Sequence, residues 1–111
     1  MTEVVESIAV EMLIEGLTDW VLVDTAIGYA HETVEDSGGD FKPVATAVIE
    51  HLLLGGLMVP GDLGESGFEA WPGSPPELVD KVIRQCESFD WEPLGAACWL
   101  SNTEAGDRVV S

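Results

Sequence analysis

The segment 31–35, HETVE, carries the residue types of this chain that are best suited to metal chemistry. His31 and Glu35 are four residues apart, so on a helix they lie on one face and could share a metal ion. The zinc-protease pattern requires a second His at position 35, and the di-iron pattern requires Glu where the chain has Gly28. We therefore favour a His–Glu pair that supports the helix, and we keep a metal-dependent enzyme using His31 and Glu35 as an alternative.

No other segment matches a catalytic or phosphate-binding motif. The acidic loop from Asp36 to Asp40 lacks the Glu that a calcium-binding loop has at its twelfth position, because that position is Ala47. Cys86 and Cys98 lie in apolar segments and no CxxC pair exists, so we expect two reduced packing thiols. These observations predict a non-catalytic protein with no cofactor and no metal.

Negative charge is the dominant property of the composition. The chain of 111 residues has 21 Asp and Glu against 4 Lys and Arg, which gives a formal net charge of −17. Ten of the acids lie between Glu3 and Asp40, and no Lys or Arg precedes Lys42. Such a surface repels nucleic acid and anionic membranes and attracts a basic protein. The alternative is that the charge serves only solubility.

Length and composition predict one domain over residues 1–111. Domains cluster at roughly 100–150 residues, and a hydrophobic fraction of 46% is too high for a disordered acidic tail. No apolar run approaches the roughly 18–20 residues that a membrane helix requires. The first residues, MTEVVES, lack the basic residues of a secretory signal. We therefore expect a cytoplasmic protein.

The elements that must position the acidic residues are mainly helical. Helical apolar spacing or capping signals predict four helices, at 3–15, 19–36, 43–54 and 75–88. Short apolar runs between turn residues predict strands at 57–59, 67–71 and 96–100, followed by a helical turn from 102 or 103. The predicted fold class is therefore α+β, mostly helical.

The helix over about 75–88 has the clearest local signals. Ser74 and Glu77 form a capping box, with proline at the first helical position. Lys81 follows Glu77 by four residues, and Arg84 follows Asp80 by the same spacing. We expect two ion pairs along this helix.

Two short segments resemble winged helix-turn-helix domains. Residues 52–58, LLLGGLM, look like the end of the third helix running into the first wing strand. Residues 99–106, WLSNTEAG, resemble the ending that follows the last wing strand. The segment 17–20, LTDW, resembles one in small acidic, uncharacterised actinobacterial proteins. The resemblance implies a winged-helix-like frame of three N-terminal helices and a small β-sheet, with the helix over about 75–88 inserted in the wing. It implies no activity.

The third helix departs from the DNA-binding pattern of such domains. A recognition helix supplies donors to phosphates and base edges in the major groove. Here Glu50 would face phosphate, and only Lys42, at the start of the helix, is basic. We therefore do not expect direct binding to nucleic acid.

The leading hypothesis is a bacterial, non-catalytic protein-interaction module that occludes a basic partner, as an immunity protein or antitoxin covers a nuclease. The alternative closest in physics is a DNA mimic or accessory transcription regulator that binds a DNA-binding protein. Trp20 and Trp99 lie in apolar patterns and are predicted in the core. Trp71 and Trp91 lie among Gly, Pro and acid, where they either pack a loop or anchor an interface. The predicted partner contacts are Asp19, Asp24, Glu32, Glu35, Asp36, Asp40, Trp71 and Trp91.

Overall fold

The computed structural model describes residues 2–111, in which the chain forms five helices and four strands. In chain order they are α1 (Thr2–Gly16), β1 (Val21–Leu22), α2 (Asp24–Val34), α3 (Lys42–Leu54), β2 (Met58–Gly64), β3 (Gly67–Ala70), α4 (Pro75–Ser88), β4 (Trp99–Asn102) and α5 (Glu104–Val110). The prediction of an α+β, mostly helical fold is confirmed.

The four strands form one antiparallel sheet in the order β1-β4-β2-β3. Leu100 of β4 is fully buried and is paired with Val21 of β1 on one side and with Pro60 of β2 on the other. β1 and β3 are the two edge strands, and β3 pairs with β2 from Gly61 to Gly64. The chain therefore leaves the sheet after β3, forms α4, and returns to the centre of the sheet as β4.

α3 is the central helix of the core, since it contacts α1, α2, α4 and β2. Apolar residues recur along it at intervals of three and four, which places them on one face. Burial of each large apolar side chain contributes roughly 1.5–3 kcal/mol. Those buried on α3 are Val44, Ala45, Val48, Ile49, Leu52 and Leu53. α1 adds Val5, Ile8, Ala9, Met12 and Leu13 to the same core.

Thr103 and Gly106 close the chain onto the loop that follows α3. The Thr103 hydroxyl caps α5 by accepting the Gly106 N–H at 3.1 Å, and it donates to the Gly56 carbonyl at 2.6 Å. The Thr103 N–H donates to the Leu57 carbonyl at 3.0 Å. A Cβ at position 106 would collide with that same carbonyl oxygen. The threonine and the glycine are therefore both required for α5 to dock.

The prediction that the second helix begins near Asp19 is wrong. The Asp19 carboxylate accepts the Trp20 N–H at 2.8 Å in a turn, and β1 follows at Val21–Leu22 before α2 begins. β1 pairs with β4, which comes late in the chain. Such a distant partner outweighs local helical spacing, because each strand residue satisfies its backbone groups across the sheet.

Two predicted strands are displaced. The strand expected at 57–59 runs from Met58 to Gly64, because its pairing with β3 and β4 continues through Pro60 and Gly61. The strand expected at 96–100 is β4, Trp99–Asn102, since its ladder with β2 begins only at Trp99. The helices expected at 75–88 and after 103 are α4 and α5.

Candidate functional site

The outward face of α2 carries several of the predicted contacts. Asp24, Gly28, His31, Glu32 and Glu35 follow at helical spacing, so they lie on one side of the helix. The opposite side is buried in the core through Ala26, Ile27 and Ala30. Asp36 and Asp40 are exposed in the loop that follows. The structure therefore brings five of the six predicted acidic contacts to α2 and its loop, namely Asp24, Glu32, Glu35, Asp36 and Asp40.

These acids have no cationic partner within residues 2–111. The ion pairs found there are Arg84–Asp80 at 2.9 Å and Arg108–Glu104 at 3.1 Å, both on other helices. The Asp40 carboxylate accepts the backbone N–H of Lys42 at 3.0 Å, which leaves its charge in place. The negative charge along α2 is therefore not neutralised by any ion pair in the part of the chain that the structure describes.

Two hollows flank His31 and together form a groove along α2. One, of about 480 Å³, is lined by Glu32, Glu35 and the two glycines of the following loop as well as by His31. The other, of about 400 Å³, lies between α2 and residues 91–94; we call it the α2 hollow. Its lining is Asp24, Ile27, Gly28, His31, Trp91, Glu92, Pro93 and Leu94. His31 lines both hollows, so the two adjoin at its side chain, and we call the pair the groove along α2.

His31 packs on an aromatic ring and forms no ion pair with Glu35. Its ring stacks on Phe41 with 3.7 Å between centroids, and Phe41 meets Trp91 edge-on at 6.1 Å. The predicted His31–Glu35 pair is therefore wrong, since no contact within ion-pair distance joins the two side chains in the described chain. Phe41 instead fixes the plane of the imidazole between the two hollows.

Trp91 is buried, with 6% of its surface exposed, which supports the loop-packing alternative over an exposed interface anchor. The chain turns sharply after α4, where Asp90 and Trp91 have φ of 54° and 60°. The Trp91 N–H donates to the Cys86 carbonyl at 2.7 Å, which draws the residue back under the helix end. The indole thus forms part of the wall of the α2 hollow rather than a projecting contact.

Asp24 ties α2 to the loop that leads into β4. One carboxylate oxygen, Oδ2, accepts the N–H of Gly95 at 3.0 Å. The other, Oδ1, is buried and accepts no hydrogen bond from residues 2–111. A buried acceptor without a donor costs about 1–3 kcal/mol. Asp24 is therefore a carboxylate held in position by Gly95, with its other oxygen enclosed by the protein.

Trp71, another predicted contact, is occupied by neighbours in its own region. Its indole N–H donates to Asp62 at 2.8 Å, and the Lys81 ammonium lies 3.9 Å from the ring centroid. The predicted Lys81–Glu77 ion pair is therefore wrong, because Lys81 lies over the indole and Glu77 accepts from the Ser74 hydroxyl at 2.7 Å. The predicted Arg84–Asp80 pair is confirmed.

Asp19, the sixth predicted acid, is exposed but does not line either hollow along α2. It lies beside Trp20, which is 40% exposed and stacks with Phe68 at 6.3 Å, so the prediction of Trp20 as a core residue is wrong. Trp20 is an exposed aromatic that the apolar pattern concealed. Its exposure follows from the turn before β1, which no local pattern in the sequence indicated.

The two cysteines are free and buried, as the sequence predicts. Burial, aided by the nearby Asp24 carboxylate, raises the pKa of Cys86 to about 11. Burial also raises the pKa of Cys98 to about 12. A thiol that stays protonated at neutral pH is a poor nucleophile and a poor metal ligand.

Three further observations concern the described chain as a whole. Across residues 2–111, no group of three or more His, Cys, Asp or Glu side chains is arranged to hold a metal ion. No helix in the same range has the length and apolar composition needed to cross a bilayer. Comparisons of the chain with protein-family models, with curated proteins and with solved structures find no match.

Proposed function

We propose that this chain is a non-catalytic, acidic protein that binds and occludes a basic protein partner in the cytoplasm, in the manner of an immunity protein or antitoxin. The observation that carries the proposal is the groove along α2, where Glu32 and Glu35 have no cationic partner among residues 2–111 while Asp80 and Glu104 each have one. The segment 3–40 holds ten acids and no Lys or Arg, so any cation that pairs with it comes from outside this segment.

The proposed mechanism has two steps. In the first, the field of the acids draws a positively charged surface toward α2, which raises the association rate constant. In the second, the groove and its rim cover that surface, and the loss of water strengthens each charge-assisted hydrogen bond. Charges beyond roughly 10 Å are screened at 0.1 M salt, so added salt slows the first step.

The test is a pull-down from lysate of the source organism, followed by binding kinetics with the purified partner. We expect a partner of high pI and an association rate that falls steeply between 50 and 500 mM salt, at least about tenfold. The double variant Glu32→Gln, Glu35→Gln should slow association several-fold. The control is Glu65→Gln, Glu87→Gln, which removes the same charge from exposed sites elsewhere. A partner that is not basic, equal effects of both double variants, or binding indifferent to salt would sink the proposal.

A second candidate, a DNA mimic or accessory transcription regulator, is favoured by the order of elements. α1, β1, α2, α3 and β2 follow one another as in a winged-helix domain, and β4 lies between β1 and β2. On this proposal β3 and α4 are an insertion in the wing. Glu50 is exposed on α3, where a DNA-binding domain would need a cation. Competition between duplex DNA and this chain for the purified partner distinguishes the candidate from the first.

The metal-dependent alternative at His31 and Glu35 has the weakest support. The imidazole is stacked on Phe41, and the two side chains do not meet as a ligand pair. A stoichiometric metal in the purified protein that is lost on His31→Ala would favour it over the other two.

A further inference from the structure

Gly28 leaves the α2 hollow open. Glycine in the middle of a helix is unfavourable, and the usual compensation is a close contact that a side chain would block. A Cβ built on Gly28 meets no atom within 4 Å, although close packing was expected there from the sequence. Gly28 lines the hollow, so the missing side chain leaves room beside Asp24 and His31. The glycine has no packing reason within the chain itself.

The Asp24 carboxylate belongs to the same hollow. Asp24 lines it, and its Oδ1 is buried without a donor while Oδ2 is held by the Gly95 N–H. The carboxylate is therefore held in position before any ligand arrives. A carboxylate oxygen can accept more than one hydrogen bond, so Oδ2 keeps acceptor capacity for a donor that enters the hollow.

The opposite wall ends in a side chain that the fold leaves uncovered. Leu94 is 91% exposed and has a φ of 49°, a region that L-residues other than Asn and Asp seldom occupy. Two residues before the Gly95–Asp24 hydrogen bond, Pro93 is buried and lines the same wall. The rim of the hollow is therefore apolar while its interior holds a carboxylate.

We propose that the α2 hollow receives the guanidinium group of an arginine side chain from the basic partner. This inference rests on the proposed function and identifies the side chain that anchors the partner. The planar guanidinium donates to a carboxylate and also stacks on flat rings, and Asp24 and His31 present both. The Glu92 carboxylate in the same lining adds a second acceptor. The three-carbon stem of arginine packs on apolar surface at the rim, where Leu94 lies. A lysine ammonium would pair with the carboxylate charge, but it has no flat group to stack on the His31 ring.

The pocket is tested without the partner, with N-acetyl-arginine methylamide as the probe and its neutral citrulline analogue as the control. We expect saturable NMR shifts at the Gly95 amide and the Trp91 indole, and at least tenfold weaker binding of the citrulline analogue. Asp24→Asn should weaken probe binding at least tenfold, whereas Asp36→Asn, which removes the same charge from an exposed loop site, should change it less than twofold. Shifts spread evenly over the acidic surface, or equal effects of the two variants, would overturn the proposal.

Gly28→Ala keeps the test decisive if Asp24→Asn fails to fold. The added methyl group enters the hollow without meeting protein atoms, so it should weaken probe binding at least fivefold in a well-folded protein. An unchanged affinity would contradict the pocket. Free arginine binding at least tenfold more tightly than the capped probe would also overturn it, since the ligand would then be a small molecule rather than a partner side chain.

The two proposals fail separately. If a basic partner binds with the expected salt dependence but the probe does not bind at the hollow, the arginine pocket is wrong and the proposed function stands. If the probe binds as expected but no basic partner exists, the pocket stands and the proposed function is wrong.

Discussion

The α2 groove and the region around α4 and α5 use the same residue types in opposite ways. Around α4 and α5, Arg84 and Arg108 pair with acids one helical turn away, and Lys81 lies over the Trp71 ring. Along α2, the acids have no cationic partner in the described chain. Buried oxygens without a donor occur in both regions, Asp24 Oδ1 on α2 and Gln85 Oε1 on α4. We call the first the internally satisfied region because its three cations find partners within it, whereas the acids along α2 keep unpaired charge among residues 2–111.

The difference teaches where to look for binding in a chain this acidic. Exposed ion pairs contribute little stability, with a median near 0–1 kcal/mol, so the ion pairs of α4 and α5 add little to the stability of the fold. Their pairing nevertheless consumes three of the four basic residues of the chain. Five of the acids without an ion pair lie on α2 and the loop that follows it, next to the two hollows, and the proposed function rests on this coincidence.

The substitution with the largest expected effect is at Gly106, the tightly packed helix glycine of the internally satisfied region. In Gly106→Ala the new Cβ collides with the Leu57 carbonyl oxygen and comes within 3.0 Å of a Leu13 methyl group. We expect a loss of about 3 kcal/mol in the free energy of unfolding, as is typical of overpacked sites. Urea unfolding followed by tryptophan fluorescence measures it. A loss below about 0.5 kcal/mol would show that α5 docks loosely.

The ionisation of the buried thiols tests how well the internally satisfied region excludes water. Because the folded pKa values of Cys86 and Cys98 are raised to about 11 and about 12, the thiols favour the folded state below the unfolded pKa of about 8.5. That contribution is lost as pH rises through the folded values, with a slope of up to about 1.4 kcal/mol per pH unit for each thiol. Urea titrations between pH 8 and 11 measure the slope.

Alkylation with iodoacetamide at pH 8 gives an independent readout of the thiols. The folded protein should react far more slowly than the urea-unfolded protein, because the thiolate forms only when the core opens. Equal reaction rates in the two states would contradict the burial of Cys86 and Cys98.

Much of the internally satisfied region could be predicted from the sequence, because its contacts are local. The capping box at Ser74, the Arg84–Asp80 pair and the bounds of α4 all depend on residues within one turn of each other. The two-residue strand β1 could not be predicted, since its only support is pairing with β4. Helical spacing alone favoured a longer α2.

Only half of the candidate site could be predicted from the sequence. Helical spacing places Glu32 and Glu35 on one face, and charge distribution marks that face as acidic. The opposite wall depends on Trp91 and Leu94 at positive φ, which no local pattern of non-glycine residues indicates. The Asp24–Gly95 hydrogen bond depends in turn on that backbone. Long-range geometry, rather than residue type, creates the hollow.

Ser74→Ala removes the side-chain hydrogen bond to Glu77 at the start of α4. The Ser74 hydroxyl and backbone N–H donate to the Glu77 carboxylate and lower its pKa. A lowered pKa stabilises the fold above the unfolded value and loses that effect as pH falls through the folded value. We expect Ser74→Ala to cost about 1 kcal/mol at pH 7. The cost should shrink at acidic pH, as urea titrations at both pH values would detect.

The control for this cap is Ser66→Ala, in the exposed turn between β2 and β3. It should change the free energy of unfolding by less than about 0.5 kcal/mol. If both alanine variants cost the same at pH 7 and at acidic pH, the capping box contributes nothing specific to α4.

Gly28→Ala is expected to have the smallest effect on the free energy of unfolding, with a sign opposite to that of Gly106→Ala. Alanine is favoured over glycine in a helix interior by roughly 0.5–1 kcal/mol, and no atom within 4 Å opposes the new Cβ. The protein should therefore become more stable by up to about 1 kcal/mol, measured by urea unfolding, while the arginine probe binds less well. A destabilised Gly28→Ala would mean that the α2 hollow is packed in solution, and the contrast between an open region and a satisfied one would then be wrong. Higher stability together with weaker binding has a single physical cause: a helix position left without a side chain, at a cost in stability, that keeps space for a ligand.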